Sequence, residues 1–510
     1  MPELQFRHSL SGGLRLAARK RMSTAAPINR DLMPERLVIP MTQQVGPPAT
    51  PIVAVGQRVV RGQIVGDPGE SPSAAAHAPR SGEVLALEER LVPGGNALVR
   101  AQCILLAVDD EPADARARPP ARWPDEHADR IRAIRTAGIV GLGGAAFPTA
   151  EKLSAPHGCD TLILNGAECE PYISCDDMLM RERAPEILRG AQTMMSLLGA
   201  DICLVAIERD KPLALASMAT AITELGDERI RTAAVPAVYP AGGERQLVEL
   251  LIGEEVPSGQ HPIATGCVCQ NVATAYALDR LVCAGEPLTT RIVTVTGNGV
   301  SAPQNLEVPI GTPIRDLIQH CGGYVGDVAR LILGGNMMGY AVSSDELPVT
   351  KATNCIIAAR ADEVRDSYAE WPCIRCGDCA DVCPARLLPQ DLLRQSRTGD
   401  FRQLDVLGLG DCIECGCCDV VCPSQIPLTE NFRDAKQARR MHERNRRLAD
   451  TAQARYVNKQ ERLRLEEEQT EQRRTDLKAQ VAPDSRIRQE TVQAAIDRVQ
   501  RRRSADDEGL

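Results

Sequence analysis

The chain lacks any apolar stretch that could cross a membrane, because no run of about 18 uninterrupted apolar residues occurs in it. Residues 1–23 contain several Arg and one His but no apolar segment of the kind that a secretory signal peptide requires. We therefore expect a protein that is neither exported nor membrane-spanning.

The chain also lacks an excess of positive charge, since its formal net charge is −9. A general attraction to nucleic acid is therefore not expected. The hydrophobic fraction of 43% is enough to form packed cores. At roughly 150 residues per domain, 510 residues predict three or four folded units.

Nineteen cysteines stand in this chain, and in an unexported protein such a number does not indicate disulfides. Eight of them form two runs of identical spacing, in which two x2 gaps are followed by an x3 gap and a Cys-Pro pair. The runs are Cys373-x2-Cys376-x2-Cys379-x3-Cys383-Pro384 and Cys412-x2-Cys415-x2-Cys418-x3-Cys422-Pro423. This spacing is typical of proteins that hold two [4Fe–4S] clusters.

In such duplicated runs the fourth cysteine, which we expect at the start of a short helix, binds the cluster of the other run. Cluster one is therefore predicted to be held by Cys373, Cys376, Cys379 and Cys422. Cluster two is predicted to be held by Cys412, Cys415, Cys418 and Cys383. The alternative, a zinc ribbon, gives no role to a third x2-spaced cysteine. Cys417 is interpreted as a bystander, because Cys418 alone keeps the x2 spacing.

The N-terminal part predicts short strands, since residues 53–65 and 77–87 alternate apolar and polar side chains around glycine turns. The two segments resemble the hairpins of a biotinyl/lipoyl-type barrel sandwich. The connecting sequence GDPGESPSAAA contains no lysine to which a cofactor could be attached. We interpret this region as a scaffold rather than a carrier, followed by a linker at 111–124.

Further along, residues 126–283 alternate helical patterns with short β-rich runs such as TLILN and DICLVAI, which predicts an α/β domain. Residues 290–360 predict a strand, a short helix and another strand in a small α+β module. Residues 431–510 contain 20 Lys/Arg and 15 Asp/Glu, a composition that predicts a solvated helix or disorder.

A glycine-rich segment, GIVGLGGAAFPTAEK at 138–152, would allow the backbone to approach a phosphate closely. It is not a dinucleotide fingerprint, because a helix precedes the glycines where that motif requires a strand. The alternative is a packing turn. Next comes LILNGAECEPYISCDD at 162–177, whose carboxylates could hydrogen-bond ribityl, ribose or nicotinamide groups, or could be solvated loop charges.

Five motifs together carry a resemblance: GLGGAAFPTAEK, NGAECEPYISCDD, YPAGGERQL, QNVATAYAL and the paired cysteine runs. In this order, between Leu37 and Arg433, they resemble the RnfC family, the C subunit of the Rnf (Rsx) electron transport complex. The central domain is also similar to the FMN- and NADH-binding subunit of respiratory complex I, and the α+β module to the SLBB domain beside it.

The resemblance implies a peripheral subunit on the cytoplasmic side of the cell inner membrane. Such a subunit exchanges electrons between NAD(H), FMN, two [4Fe–4S] clusters and ferredoxin-type carriers, while other subunits translocate ions. Its expected partners are the membrane subunits and a ferredoxin-like subunit of the complex. No contact with nucleic acid is expected, and contact with the membrane would be made through partners.

The resemblance also implies which residues form the flavin and nucleotide site. Those that would surround the FMN phosphate and the nucleotide are Gly141, Gly143, Gly144 and Lys152. Asn165 and Glu168 would contact flavin or ribityl groups, and Glu170 would lie near nicotinamide. The residues that would complete the pocket are Gly242, Gly243, Asn271 and Thr274. Lys152 and Glu170 are the candidate catalytic residues.

The predicted fold is therefore multidomain, α/β and α+β. The modules are a barrel sandwich (1–125), an FMN/NADH-binding α/β domain (126–283), an SLBB-like module (284–362), a ferredoxin-like domain for two [4Fe–4S] clusters (363–435) and a charged helical or disordered tail (436–510). Two alternative functions stay open, a soluble flavin and iron–sulfur cobalamin reductase and a flavin-less electron-relay scaffold. Lys152, Asn165, Glu168 and Glu170 disfavour the scaffold.

Overall fold

A computed structural model describes most of the chain, in two compact units that are treated separately, Met1–Arg433 and Asp434–Leu510. The described residues are 9–70, 72–95, 97–110, 123–154, 158–364 and 369–506, the last range without side chains at 482–485 and 503–506. Most of the linker predicted at 111–124 lies outside these residues.

Antiparallel strands form the N-terminal module, and the two segments predicted as strands contribute four of them. The strands are β1 (Arg36–Pro40), β2 (Thr50–Pro51), β3 (Arg58–Val59), β4 (Ile64–Asp67), β5 (Ala76–His77), β6 (Gly82–Pro93) and β7 (Leu98–Val108). Among the described residues they pair in the orders β1-β7-β6-β3 and β2-β4-β5. Alternate side chains such as Leu37, Ile39, Val84 and Ile104 point inward and form the core.

The central module alternates helices and strands as predicted. Its elements are α1 (His127–Thr136), α2 (Thr149–Leu153), β8 (Thr161–Gly166), α3 (Cys175–Glu182), α4 (Ala184–Leu198), β9 (Ile202–Glu208), α5 (Pro212–Leu225), β10 (Ile230–Val235), α6 (Glu244–Ile252), β11 (Cys267–Asn271) and α7 (Val272–Ala284). The four strands are parallel, in the order β10-β9-β8-β11. Helices cover the sheet, so the strands are apolar over most of their length.

The order of these strands creates a switch point between β8 and β11. From β8 the chain adds β9 and β10 on one side, and then returns to place β11 on the other side. In open parallel sheets, ligands bind outside the carboxyl ends of the strands at such a point. Asn165 and Asn271 are paired there, one at the end of each strand.

The third module is a mixed sheet with one helix. Its elements are β12 (Thr290–Thr296), β13 (Gln304–Pro309), α8 (Ile314–His320), β14 (Val328–Leu333), β15 (Tyr340–Val342) and β16 (Cys355–Arg360). Within the described ranges the strand order is β13-β12-β16-β14-β15. The prediction of strand, helix and strand identified β12, α8 and β14 but did not include the other three strands.

Short helices carry the cysteine runs, and one long helix follows. They are α9 (Asp378–Asp381), α10 (Pro389–Thr398), α11 (Phe401–Val406), α12 (Cys417–Val421) and α13 (Leu428–Asp506). The expectation for the fourth cysteine of each run was wrong. Cys383 and Cys422 come after α9 and α12 rather than at the start of a helix.

The described part of the second unit is the segment of α13 that begins at Asp434. Nearly all of its described side chains are exposed, and i,i+4 ion pairs such as Arg462–Glu466 and Arg464–Glu468 lie along it. Such pairs add only a few tenths of a kcal/mol each, roughly 0.3–0.5. Nowhere in the described ranges does a helix combine the length and the apolar character of a membrane span.

A buried lysine joins three modules of the first unit. Lys351, in the loop between β15 and β16, is 1% exposed, and its Nζ donates to the carbonyls of Ala75 and Gly138 at 2.7 and 2.8 Å. These carbonyls belong to the N-terminal and the central modules. Burial lowers the pKa of Lys351 to about 7. The folded state therefore binds this proton more weakly than the unfolded chain does.

We predict a pH dependence of stability that Lys351 controls. Between pH 7 and 9 the unfolded chain keeps the proton while the folded chain loses it, so this group makes stability rise with pH, by up to about 1.4 kcal/mol per unit. Lys351→Met should remove that contribution. Chemical unfolding of both proteins at pH 7, 8 and 9 measures the difference, and parallel curves would contradict the prediction.

Candidate redox site

The glycine-rich loop after α1 is fixed by contacts on both sides of Leu142. The N–H of Leu142 donates to Thr274 Oγ1 at 2.9 Å, and its carbonyl accepts from the Arg291 guanidinium. Just before it, the N–H of Gly141 donates to the Phe147 carbonyl at 2.7 Å. A Cβ added at Gly143 would lie 3.5 Å from Asn271. The loop therefore lies over the switch point of the sheet.

This loop offers backbone donors to an anion. In the part of the chain that the structure describes, no hydrogen bond engages the N–H groups of Gly143, Gly144 and Ala145. Gly144 has φ +106, and a Cβ there would meet nothing within 4 Å. Ala146 has φ +49, also in the left-handed region. Successive free N–H groups in such a turn form a concave anion site, so the loop fits a phosphate.

Two asparagines lie below the loop at the carboxyl ends of β8 and β11. Asn165 Nδ2 donates to the Gly242 carbonyl at 2.8 Å. Asn271 Nδ2 donates to Asp176 Oδ2 at 2.6 Å, while its Oδ1 accepts from the Ala273 N–H at 2.8 Å and caps α7. Most of the predicted pocket residues are thus brought together at one end of the sheet.

Asp176 is a residue of this site that the sequence did not single out. It is buried, and burial, together with the neighbouring Glu168 carboxylate, raises the pKa of Asp176 above that of an exposed aspartate. The only sequence signal was the paired aspartates at the end of NGAECEPYISCDD.

Two predicted residues are engaged by the protein itself. Glu168 Oε1 accepts from the N–H of Asp176 at 2.8 Å, so this carboxylate stabilises the N-terminus of α3. Lys152 Nζ donates to Glu244 at 2.6 Å and to the Cys269 carbonyl at 3.1 Å. Lys152 remains about one third exposed at the edge of the site.

The glycine pair that precedes α6 allows a close approach of two loops. A Cβ at Gly242 would lie 2.4 Å from the Ala167 carbonyl, and one at Gly243 would lie 2.4 Å from Gln246 Oε1. Any side chain at Gly242 would push its carbonyl away from Asn165. Gly242 therefore maintains the site through the backbone, whereas a side chain at Gly243 would meet the end of the Gln246 side chain.

Glu170 faces the third module. Its two carboxylate oxygens accept from the N–H groups of Met337 and Met338 at 3.0 and 2.9 Å. Burial raises the pKa of Glu170, and these two N–H groups oppose the rise. The carboxylate therefore fixes the loop between β14 and β15 against the central module.

The eight run cysteines gather around two cavities in the predicted crossed sets. One small cavity is lined by Cys383, Cys412, Cys415 and Cys418, and Cys417 also lies in its wall. The other is lined by Cys373, Cys376, Cys379 and Cys422. Leu, Ile, Pro and Gly supply much of the remaining wall. Four thiols around an apolar cavity fit a cubane cluster, in which each iron takes one thiolate.

The sequence repeat is also a repeat of backbone conformation. Positive φ angles occur at Arg375, Gly377 and Arg386 in the first run, and at the equivalent Glu414, Gly416 and Gln425 in the second. A helix then begins at Pro389 in the first case and at Leu428 in the second. The two halves therefore form the same loop twice.

Cys417 lies between two predicted ligands of cluster two. It is fully buried, and a hydrogen bond from its thiol lowers the pKa of Cys415. The prediction that Cys417 is a bystander and Cys418 the ligand rests on the x2 spacing, because both cysteines line the same cavity. Burial raises the pKa of Cys418, so its proton would leave only when metal binds.

Tyr239 connects the central module to the loop that carries Cys412, Cys415 and Cys418, named here the cluster-two loop. The sequence did not predict this role. The Tyr239 hydroxyl donates to the Cys415 carbonyl at 2.7 Å, and both residues are buried. Cys169, Met337 and Ile413 pack around the pair. The only signal was the position of Tyr239 at the start of the YPAGGERQL motif.

Four family models match the chain in the order of its modules. The RnfC Barrel sandwich hybrid domain matches residues 8–111 and the Nuo51 FMN-binding domain residues 134–280. The SLBB domain matches residues 292–341 and the 4Fe-4S dicluster domain residues 372–426. These matches, together with the long C-terminal helix, confirm the predicted fold class.

Two curated relatives are both named as the C subunit of an ion-translocating oxidoreductase complex. The protein from Pseudomonas aeruginosa is 42% identical over 98% of this chain and 66% of its own length. The protein from Rhodobacter capsulatus is 42% identical over 84% of this chain and 82% of its own length. The chain thus spans slightly less than two thirds of the Pseudomonas relative.

Among solved structures, an NAD+-reducing [NiFe]-hydrogenase in the H2-reduced state is similar in part. The alignment covers 62% of this chain and 61% of the hydrogenase chain, with TM-score 0.44 and 18% identity. This similarity is too low to assign a property to the chain.

We predict that Thr274 stabilises the glycine-rich loop. Thr274→Val keeps the shape of the side chain but leaves the buried Leu142 N–H without its acceptor, which should cost about 1–3 kcal/mol. Thr223→Val is the control, since Thr223 lies on the exposed face of α5 and bonds only within its own helix. The measurement is the free energy of unfolding, and equal values for the two variants would contradict the prediction.

Proposed function

Because the chain belongs to the RnfC family of ion-translocating oxidoreductase subunits, we propose that it exchanges electrons between NAD(H), FMN and two [4Fe–4S] clusters. The observation that carries the proposal is the gathering of two crossed sets of four cysteines in the same compact unit as the glycine-rich loop. The complex would couple this exchange to ion movement through its other subunits.

The flavin would be held at the switch point of the central sheet. A bound flavin supplies the conversion between hydride transfer and single-electron transfer, and iron–sulfur clusters relay single electrons. The N–H groups of Gly143 and Gly144 would bind the phosphate, and Gly141 would keep the loop closed. Thr274 would hold the loop, and Lys152 would neutralise phosphate charge at its edge.

The remaining predicted residues would shape the pocket around the flavin and the nicotinamide. Asn165 and Asn271 would orient the ribityl chain, and Gly242 and Gly243 would hold the neighbouring turn. Glu168 would act by fixing α3. Lys152 and Glu170 remain the proposed catalytic residues, Lys152 by binding phosphate charge and Glu170 by lying near the nicotinamide.

We propose further that electrons pass between the clusters and a ferredoxin-like partner subunit of the complex. The chain would lie peripherally on the cytoplasmic side of the cell inner membrane, held there by membrane subunits. The boundaries that we propose for its modules are 1–125, 126–283, 284–362, 363–435 and 436–510.

The proposal predicts the cofactor content of the protein and its reduction by NADH. After anaerobic purification, we expect about eight iron and eight sulfide per chain, from two cubanes, together with FMN. Addition of NADH should bleach the visible absorbance and produce an EPR signal of reduced clusters. Eight iron without flavin and without reduction by NADH would leave an electron relay and refute the nucleotide assignment. Zinc in place of iron would refute the whole proposal.

The cluster assignment predicts different results for two adjacent cysteines. Cys418→Ser should remove a ligand of cluster two, so that iron falls from about eight to about four per chain and one EPR signal is lost. Cys417→Ser, the matched control, should keep about eight iron, because Cys417 is a neighbour of the site. Loss of iron in the Cys417 variant alone would reverse the two roles.

A further inference from the structure

The described N-terminal residues 9–33, named here the N-terminal strap, precede β1 and lie against three other modules of the unit. The N–H of Gly13 donates to the Val382 carbonyl at 2.9 Å. Further along, the carbonyl of Ala18 accepts from the Tyr172 N–H at 2.8 Å, and the carbonyl of Ser23 accepts from Asn305 Nδ2 at 2.8 Å. The strap thus contacts the cluster, central and SLBB-like modules in turn.

At its first contact the strap lies directly on a predicted ligand of cluster two. A Cβ added at Gly12 would lie 2.7 Å from the carbonyl carbon and oxygen of Val382, and 2.8 Å from the carbonyl carbon of Cys383. The φ angles of Gly12 and Gly13 are +60 and +83, in the region that favours glycine. Only glycine therefore allows the strap to approach the Cys383 backbone this closely.

At its second contact the strap pairs with Tyr239. The N–H of Leu14 donates to the Tyr239 carbonyl at 2.7 Å, and the N–H of Tyr239 donates to the Leu14 carbonyl at 2.9 Å. The same tyrosine donates its hydroxyl to the Cys415 carbonyl. Leu14 and Leu16 pack with Tyr239, Cys415 and Cys417 in one apolar group. The strap therefore reaches a second ligand of cluster two through one intervening residue.

A lysine anchors the strap to the central module. Lys20 Nζ donates to the carbonyls of Glu168 and Ile173 at 2.5 and 2.6 Å, and lies 3.8 Å from the Glu168 carboxylate. Next, the hydroxyls of Ser23 and Ser174 share a hydrogen bond at 2.8 Å in a buried position. These bonds hold the strap to the segment that also carries Asp176. The strap is therefore held on both sides of its contact with Tyr239, by Gly13 before it and by Lys20 after it.

Within the described residues, the first two predicted ligands of cluster one are less covered than those that the strap approaches. Cys373 and Cys376 are exposed, although Cys422 is buried, whereas Cys415 is buried and Cys383 is partly buried under the strap. Burial and backbone geometry around ligand sulfurs set the reduction potential of an iron–sulfur cluster. A segment that covers only one site can therefore adjust one potential without the other.

We propose that the N-terminal strap is a positioning element for cluster two, which holds Cys383 directly and Cys415 through Tyr239. This inference rests on the proposed assignment of the clusters. Leu14 and Leu16 support this arrangement, because they pack against Tyr239 and Cys415 where the central module meets the cluster-two loop. The strap thus makes part of the N-terminal segment a component of the electron-transfer unit, and not only the lead into a barrel-sandwich scaffold.

The test is a redox titration of the full chain, purified anaerobically and followed by EPR, comparing Gly12→Ala with Gly69→Ala. Gly69 is the control because its φ of +61 matches the +60 of Gly12, so alanine causes the same backbone strain at both positions. The added Cβ at Gly69 would meet nothing within 4 Å, so only Gly12→Ala disturbs a contact. The cluster-two signal is the one that Cys418→Ser removes. We expect Gly12→Ala to shift the midpoint potential and line shape of that signal, while the cluster-one signal and the control stay as in the wild type.

Tyr239→Phe is the second variant, since it keeps the ring and removes only the bond to the Cys415 carbonyl. It should shift the same signal at an unchanged iron content of about eight per chain. A cluster-two signal like that of the wild type in both variants would overturn the inference, as would equal shifts of both clusters. If the wild type itself held only one cluster or none, the proposed function would fail instead.

Discussion

The parallel pairing of β8 with β11 is the constraint on which the central site depends. It places Asn165 beside Asn271 at the carboxyl end of the sheet, although 106 residues separate them in the chain. Asn271 then caps α7, whose Thr274 holds the glycine-rich loop above both strands. A shift of the register by one residue would turn these side chains to the other face of the sheet. The loop would then cover a different surface.

Hydrogen bonds from three side chains to backbone carbonyls join modules of the unit, beside an apolar core that the modules share. Lys351 donates to carbonyls of two other modules, Lys20 to the Glu168 and Ile173 carbonyls, and Tyr239 to the Cys415 carbonyl. A buried donor that loses its acceptor costs about 1–3 kcal/mol, so each contact is sensitive to the position of its partner module. The bond from Tyr239 therefore helps to set how the central module faces the cysteine runs, whereas Lys351 and Lys20 hold N-terminal segments to the central module.

The cysteine runs show how a local pattern can specify a non-local arrangement. Each run forms a loop in which equivalent residues have positive φ angles. A helix begins six residues after the fourth cysteine in both runs, at Pro389 and at Leu428. Because the fourth cysteine of each run joins the other set, neither cavity is complete without both halves. The spacing alone predicted this crossing, whereas the predicted helix at the fourth cysteine was wrong. Helix ends depend on turns that follow Cys383 and Cys422, and spacing carries no information about them.

The sequence by itself determined the order and type of the modules, the cysteine sets and the glycine-rich loop, because spacing and periodicity are local properties. Only the tertiary structure decided that Asp176 belongs to the central site, that Glu170 binds the loop of the third module, and that Gly12 and Gly13 lie against the backbone of Val382 and Cys383. The contacts of Glu170 and of the strap join segments more than a hundred residues apart. The position of Asp176 in the site is decided by burial, which also raises its pKa. Burial and distant pairing follow from packing, which no stretch of sequence encodes alone.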